Sequence, residues 1–163
     1  MTVKNNESGR TMLEMLGVLA IMGVIMLGAI SGIGFGIEMY KINATRNEIE
    51  EISSGIVDLY SWSRDYSGLD NNGAQIICEN DITTACTSAN PPSLKSKWSG
   101  DIRVASKEGG KKFTITYVGL DELPCGRLIT GPSFTHGTLT LQGAAGGAAS
   151  CAATGNNLIF TSF

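Results

Sequence analysis

No charged residue interrupts the chain between Glu14 and Glu38, and the apolar run from Met15 to Ile37 exceeds the roughly 20 residues that a helix needs to cross a hydrocarbon core of about 30 Å. Beyond Glu38 the pattern changes. Ile42, Ile49, Ile52, Ile56 and Leu59 recur at helical spacing among Lys41, Arg46, Glu48, Glu50, Glu51 and Asp58, which predicts an amphipathic helix with one apolar stripe. No proline stands between Thr11 and Tyr66, so one helix of about 80 Å is expected to run through both halves. Its first half is long enough to span a membrane, and its second half has a stripe suited to packing on a sheet. Tyr60, Trp62 and Tyr66 are expected to complete that core.

Gly68, Asp70, Asn71, Asn72 and Gly73 form a cluster of cap and turn residues, so the helix is expected to stop near Ser67 and give way to a loop region reaching about Gly100. Pro91 and Pro92 close this region in extended geometry. Strand signals follow. Ile102 and Val104 alternate with Arg103 and Ala105, and Phe113, Ile115 and Tyr117 alternate with Thr114 and Thr116, with Gly109 and Gly110 between them suited to a tight hairpin. Leu139 with Leu141, and Leu158 with Phe160, mark further short strands. The expected fold is α+β: a long N-terminal helix whose amphipathic half packs on an antiparallel sheet of three to five strands.

At 163 residues and 42% apolar composition, the chain has material for one globular domain beside the apolar helix. A net charge of −3 and a pI near 5.1 leave no broad basic surface, so nucleic acid is not indicated as a partner. Lys107, Lys111 and Lys112 read as a solvated hairpin tip. Lys4 and Arg10 precede the apolar run, which favours a cytoplasmic N-terminus and an exported C-terminal domain. An ordinary secretory signal ending near Ala29 and Ser31 is the competing reading, but its apolar region would be longer than the usual 7–15 residues.

Four cysteines in an exported domain point to disulfides, and Cys78, Cys86, Cys125 and Cys151 allow three pairings. Joining Cys78 to Cys86 closes a short loop. No metal or cofactor is expected, because there is no close C-x-x-C pair and His136 is the single histidine. Catalysis finds no support either: the sequence has no P-loop, no G-x-S-x-G and no nucleophile with a base to activate it. His136 reads as a surface loop residue, and Asp121 and Glu122, beside Leu123 and Pro124, as a solvated turn.

Gly9, then Arg10, then Glu14 five positions past the glycine, followed by the apolar helix, resembles the prepilin signature of type IV pilins. The stretch FTITYVGLDELPCGRL, Phe113 to Leu128, resembles the strand, turn and first disulfide cysteine of the type IVb group. This likeness implies a leader over residues 1–9, removed by prepilin peptidase between Gly9 and Arg10. It implies a transmembrane and filament-core helix over 10–37, and a globular pilin domain with the amphipathic half-helix over 38–163. Methylation of the new N-terminus also follows from the likeness, although Arg10 stands where the best-known pilins carry Phe or Met. Glu14 would pair with the N-terminal amine of a neighbouring subunit. The residues themselves also allow Glu14 to sit at headgroup level or to pair with Arg10 at i, i+4 spacing.

The resemblance further implies a Cys125–Cys151 disulfide holding down Gly143 to Ala149, a variable loop exposing Asn80, Asp81, Thr83 and Thr84, and a glycine cluster from Gly28 to Gly36 acting as the extensible part of the helix. The implied partners are further copies of the chain in a helical filament, other pilins, the peptidase, the inner-membrane assembly machinery and, before assembly, the membrane. The implied location is the inner membrane and then an extracellular pilus, a class of filament associated with cell adhesion. Two alternatives stand beside this reading: a type II secretion pseudopilin, and a one-pass membrane protein displaying a periplasmic binding module.

Overall fold

The computed structural model describes residues 7–142 and 150–163, without the side chains of residues 7–11, Ser31 and Asn71. The chain forms two compact units, Met1–Met39 and Tyr40–Phe163. Helix α1, Glu7–Leu59, is the first element and supplies residues to both.

In the second unit the isoleucine stripe behaves as its spacing predicts. Ile42, Ile49, Ile52 and Ile56 are buried against the sheet core, each contributing about 1.5–3 kcal/mol relative to exposure. Leu59 departs from the stripe at 42% exposed. The helix also ends there, seven residues before Tyr66. Ser61 N–H reaches back to Asp58 O, a tightened i−3 bond, and Arg64 takes a left-handed φ of +50°. Trp62 falls in this turn and is 100% exposed, so it does not finish the core as expected. Tyr66 does reach the core, standing edge-on to Phe113 at 5.0 Å between ring centroids.

The region expected to be a loop holds a second helix, α2, Leu69–Glu79. Its turn-forming residues leave a trace as a kink at Asn72, but Leu69 and Ile77 are both fully buried, and this anchoring outweighs local preference. Cys78, near its end, is bonded to Cys86. Of the four residues expected to be exposed here, Asn80, Asp81 and Thr84 are so, whereas Thr83 is buried. The Asn90–Pro91 peptide is cis, and Pro91 stands in a bend.

Five antiparallel strands follow: β1 Leu94–Lys95, β2 Asp101–Lys107, β3 Lys112–Leu120, β4 Gly137–Leu141 and β5 Asn156–Ser162, in the order β1-β2-β3-β5-β4. Alternation sets the buried face. Ile102 and Val104, then Phe113, Ile115 and Tyr117, then Leu158 and Phe160 all point into one core, with Ile102 opposite Tyr117 and Ile115 opposite Phe160. The β2–β3 hairpin turns through Glu108, Gly109 and Gly110, all at positive φ, as two adjacent glycines permit. Lys107 and Lys111 are exposed on it, and Lys112 pairs with Glu108 at 3.4 Å.

The outer rim of β2 is met by β1 and by α2. β1 pairs with its first two residues, and beyond them the Asp70 carboxylate accepts hydrogen bonds from the Ser106 N–H at 2.9 Å and its hydroxyl at 2.6 Å. Gly73 of α2 lies so close that a Cβ there would sit 2.6 Å from the Val104 carbonyl oxygen. The opposite rim of the sheet is β4.

Asp121 to Pro124, expected as a turn, instead begin helix α3, Glu122–Ile129. Asp121 is its N-cap residue with extended backbone, and Pro124 falls in the first turn, where the missing N–H has no intrahelical partner to lose. Asp121 and Glu122 are exposed. Cys125 is buried on α3 and bonded to Cys151. The segment from Gly143 to Ala149, expected to be held by this bond, lies outside the described residues, as does residues 1–6 of the expected leader.

Candidate functional site

Within the first unit, α1 is an apolar surface. Every described large side chain from Met12 to Ile37 is more than half exposed, and the most apolar 18-residue window has a mean hydropathy of 2.4 with none of it buried. By length and composition it is a candidate membrane span. The glycines of this half, Gly17, Gly23, Gly28, Gly32, Gly34 and Gly36, have nothing within 4 Å of where a Cβ would stand. The helix is continuous through Gly28 to Gly36.

Gly9 and Arg10 lie in the first turns of α1, so the peptide bond between them is helical. Glu14 is exposed, with Leu13 and Met15 on either side also exposed. A lone carboxylate on so apolar a helix is costly in lipid unless it reaches the interface or meets a cation. Pairing within the helix would require Arg10, whose side chain is outside the described ones.

In the second unit the polar contacts of α1 fix how its amphipathic half lies on the body. Glu48, one of the charged residues interspersed with the isoleucine stripe, is buried. The Tyr117 hydroxyl donates to it at 2.8 Å, and Lys97 Nζ approaches its second oxygen at 3.7 Å. Burial pushes the Glu48 carboxyl above its ordinary range, and the Tyr117 hydrogen bond and Lys97 offset part of that rise. Burial beside Glu48 also raises the Tyr117 phenol. One turn earlier, Trp98 Nε1 donates to Thr45 Oγ1 at 3.2 Å, while Lys41 lies 5.2 Å from the Trp98 ring.

Arg46 and Glu50, one helical turn apart, grip the segment that joins α3 to β4. Arg46 donates to the carbonyls of Leu128 and Pro132 and sits 4.9 Å from the Phe134 ring centroid. Glu50 accepts from the Thr135 N–H at 2.9 Å and its hydroxyl at 3.3 Å. Sequence reading missed these roles. A signal was present for Glu48: Thr45, Glu48, Ile49, Ile52, Ser53 and Ile56 form one stripe, and all six are buried.

His136 is half-buried, and its backbone carbonyl accepts from the Phe163 N–H. Among the described residues no group of three or more His, Cys, Asp or Glu is placed to hold a metal ion. The site residues therefore separate into an exposed apolar helix carrying Glu14 and a disulfide-bonded body organised around Glu48 and Tyr117.

No curated protein matches the chain. A family model described as PilS N terminal matches residues 39–163, which takes in the amphipathic half of α1, the whole sheet and both disulfides. The match covers most of the chain, and with the apolar helix ahead of it, it identifies the protein as a member of the pilus-related PilS family.

Proposed function

We propose that the chain is a structural pilin of the type IVb kind, processed by prepilin peptidase after Gly9 and polymerised through α1 into a surface filament. The observation that carries this reading is the apolar half of α1. Every described side chain from Met12 to Ile37 is exposed, and Glu14 near the start is the single carboxylate among them, in a chain whose remaining length belongs to a pilus-related family.

The mechanism is assembly rather than catalysis. Before assembly, lipid covers the apolar face of α1. In the filament the same face meets other copies of α1, and the many glycines let those backbones approach closely. Glu14 pairs with the free amine of the neighbouring Arg10, so that each buried carboxylate meets a cation and the axial step between subunits is fixed. Peptidase action requires the first turns of α1 to open, because proteases bind extended chain, and Gly9 lowers the cost of opening by about 1 kcal/mol relative to alanine. The body remains on the exported side of the membrane and forms the filament surface.

Intact mass and N-terminal sequencing of the chain from cells that hold the export machinery test the processing. A start at Arg10, with or without a methyl group, is expected; a start at Met1 or Thr2 overturns the reading in favour of a permanent one-pass anchor. Electron microscopy of Glu14→Ala cells tests the assembly role. The variant is expected to insert into the membrane normally and yield few or no filaments, and a wild-type filament count would remove Glu14 from the mechanism.

A further inference from the structure

The turn that follows α1 carries more aromatic and basic side chain than the fold uses. Trp62 is wholly exposed, and Arg64 in the same turn holds a left-handed φ of +50°, a conformation that costs a non-glycine residue about 1–2 kcal/mol. Beside them is a cavity of about 350 Å³, within the range of roughly 300–1,000 Å³ usual for small-molecule sites. Tyr60, Tyr66 and Phe163 supply aromatic surface to it, and Ser61, Arg64 and Lys111 supply polar groups.

The aromatic wall is anchored. Tyr60 and Tyr66 have ring centroids 5.4 Å apart, and the contact of Tyr66 with fully buried Phe113 ties both to the core. The cations are uncompensated: among the described residues neither Arg64 nor Lys111 lies within 4.0 Å of a side-chain carboxylate. The ligand that uses all of these groups combines a carboxylate for the two cations, an apolar face for the rings and hydroxyls for Ser61 and the tyrosines. An inorganic anion would leave the rings idle, and a neutral sugar would leave the cations unpaired.

We propose that this cavity binds a carboxylated saccharide, a sugar acid of the uronate or sialate class, through Arg64 and Lys111 at its carboxylate and the Tyr60, Tyr66 and Phe163 rings at its pyranose face. The site belongs to the folded body alone and does not depend on filament assembly.

Titration calorimetry on the full chain in detergent micelles tests it, with glucuronic acid and N-acetylneuraminic acid as probes and galactose and inorganic phosphate as comparators. The expected result is saturable binding of at least one sugar acid, at least tenfold tighter than either comparator. Arg64→Gln and Lys111→Gln should each weaken it tenfold or more, as should Phe163→Ala. Lys107→Gln, which alters an exposed lysine of the same hairpin outside the cavity, should leave it unchanged. None of these side chains packs in the core, so the variants should melt with the wild type. Absence of saturable sugar-acid binding overturns the proposal, as does phosphate binding of equal strength or a loss in Lys107→Gln equal to that in Lys111→Gln.

Discussion

The Tyr117 hydroxyl donates a 2.8 Å hydrogen bond to Oε1 of Glu48, joining the middle strand of the sheet to the amphipathic half of α1 across 69 residues of chain. It places a carboxylate inside the core, where its charge state bears on stability. Below the ordinary carboxylate pKa of 4.5 both the folded and the unfolded chain hold this proton. As pH rises the unfolded chain releases it first, because burial has raised the folded value, so this group's contribution to stability declines until the raised value is passed and then levels off.

Glu48→Gln keeps an acceptor for Tyr117 and removes the titration. Its melting temperature relative to wild type is therefore expected to climb as pH rises through and above the ordinary value of 4.5, and to level off once the raised value is passed. Parallel melting curves across that range would show that Glu48 titrates alike in both states. Glu48→Ala leaves the buried phenol without its acceptor and should cost about 1–3 kcal/mol at any pH in that range.

Two glycines in helices should respond in opposite directions to alanine. Gly73 faces the Val104 carbonyl, with a Cβ only 2.6 Å from its oxygen and backbone that cannot swing aside. The helix-propensity gain of about 1 kcal/mol is outweighed by overpacking of about 1–3 kcal/mol, so Gly73→Ala should destabilise. Gly126, inside α3, has nothing within 4 Å, and Gly126→Ala should stabilise by about 0.5–1 kcal/mol. Denaturant titration of both variants checks the pair of signs.

The disulfides should differ in weight. Cys125–Cys151 closes a separation of 26 residues and Cys78–Cys86 one of 8. In the chain-entropy description these correspond to about 3.5 and about 2.5 kcal/mol, so paired serine substitutions at Cys125 and Cys151 should lower the denaturant midpoint further than those at Cys78 and Cys86. The reverse order would mean that the shorter bond does its work by holding α2 in place.

Where one periodicity ruled, the sequence was readable. The isoleucine stripe, the alternation in β2 and β3 and the Gly109–Gly110 hairpin all appear at their expected positions, because a buried face repeats at the period of its element. Less legible were elements set by contacts distant in sequence. The residues of α2 favour a turn locally, and the helix exists because Leu69 and Ile77 find the core and Gly73 fits against β2. Pro124 signals a break in isolation, yet the first turn of α3 accepts it. Glu48 falls on the isoleucine stripe by spacing, but nothing in the sequence near it reveals that Tyr117 and Lys97 wait across the core. On the apolar half of α1 the sequence already carries what can be read, because the features there are length, exposure and one carboxylate.

The covering of the β2 rim by β1 and α2 bears on what happens when many copies of this body are held side by side. An exposed strand edge is a template for another strand, and a sheet with two open edges can be extended indefinitely, chain upon chain. Here, among the described residues, the β2 rim is met by Asp70, Gly73 and the short β1, which leaves β4 as the rim for an incoming strand. Two bodies meeting through β4 would use up both openings and stop at a pair. Zippering of sheets through the β2 rim is thereby hindered, and in the proposed filament growth falls to the helices.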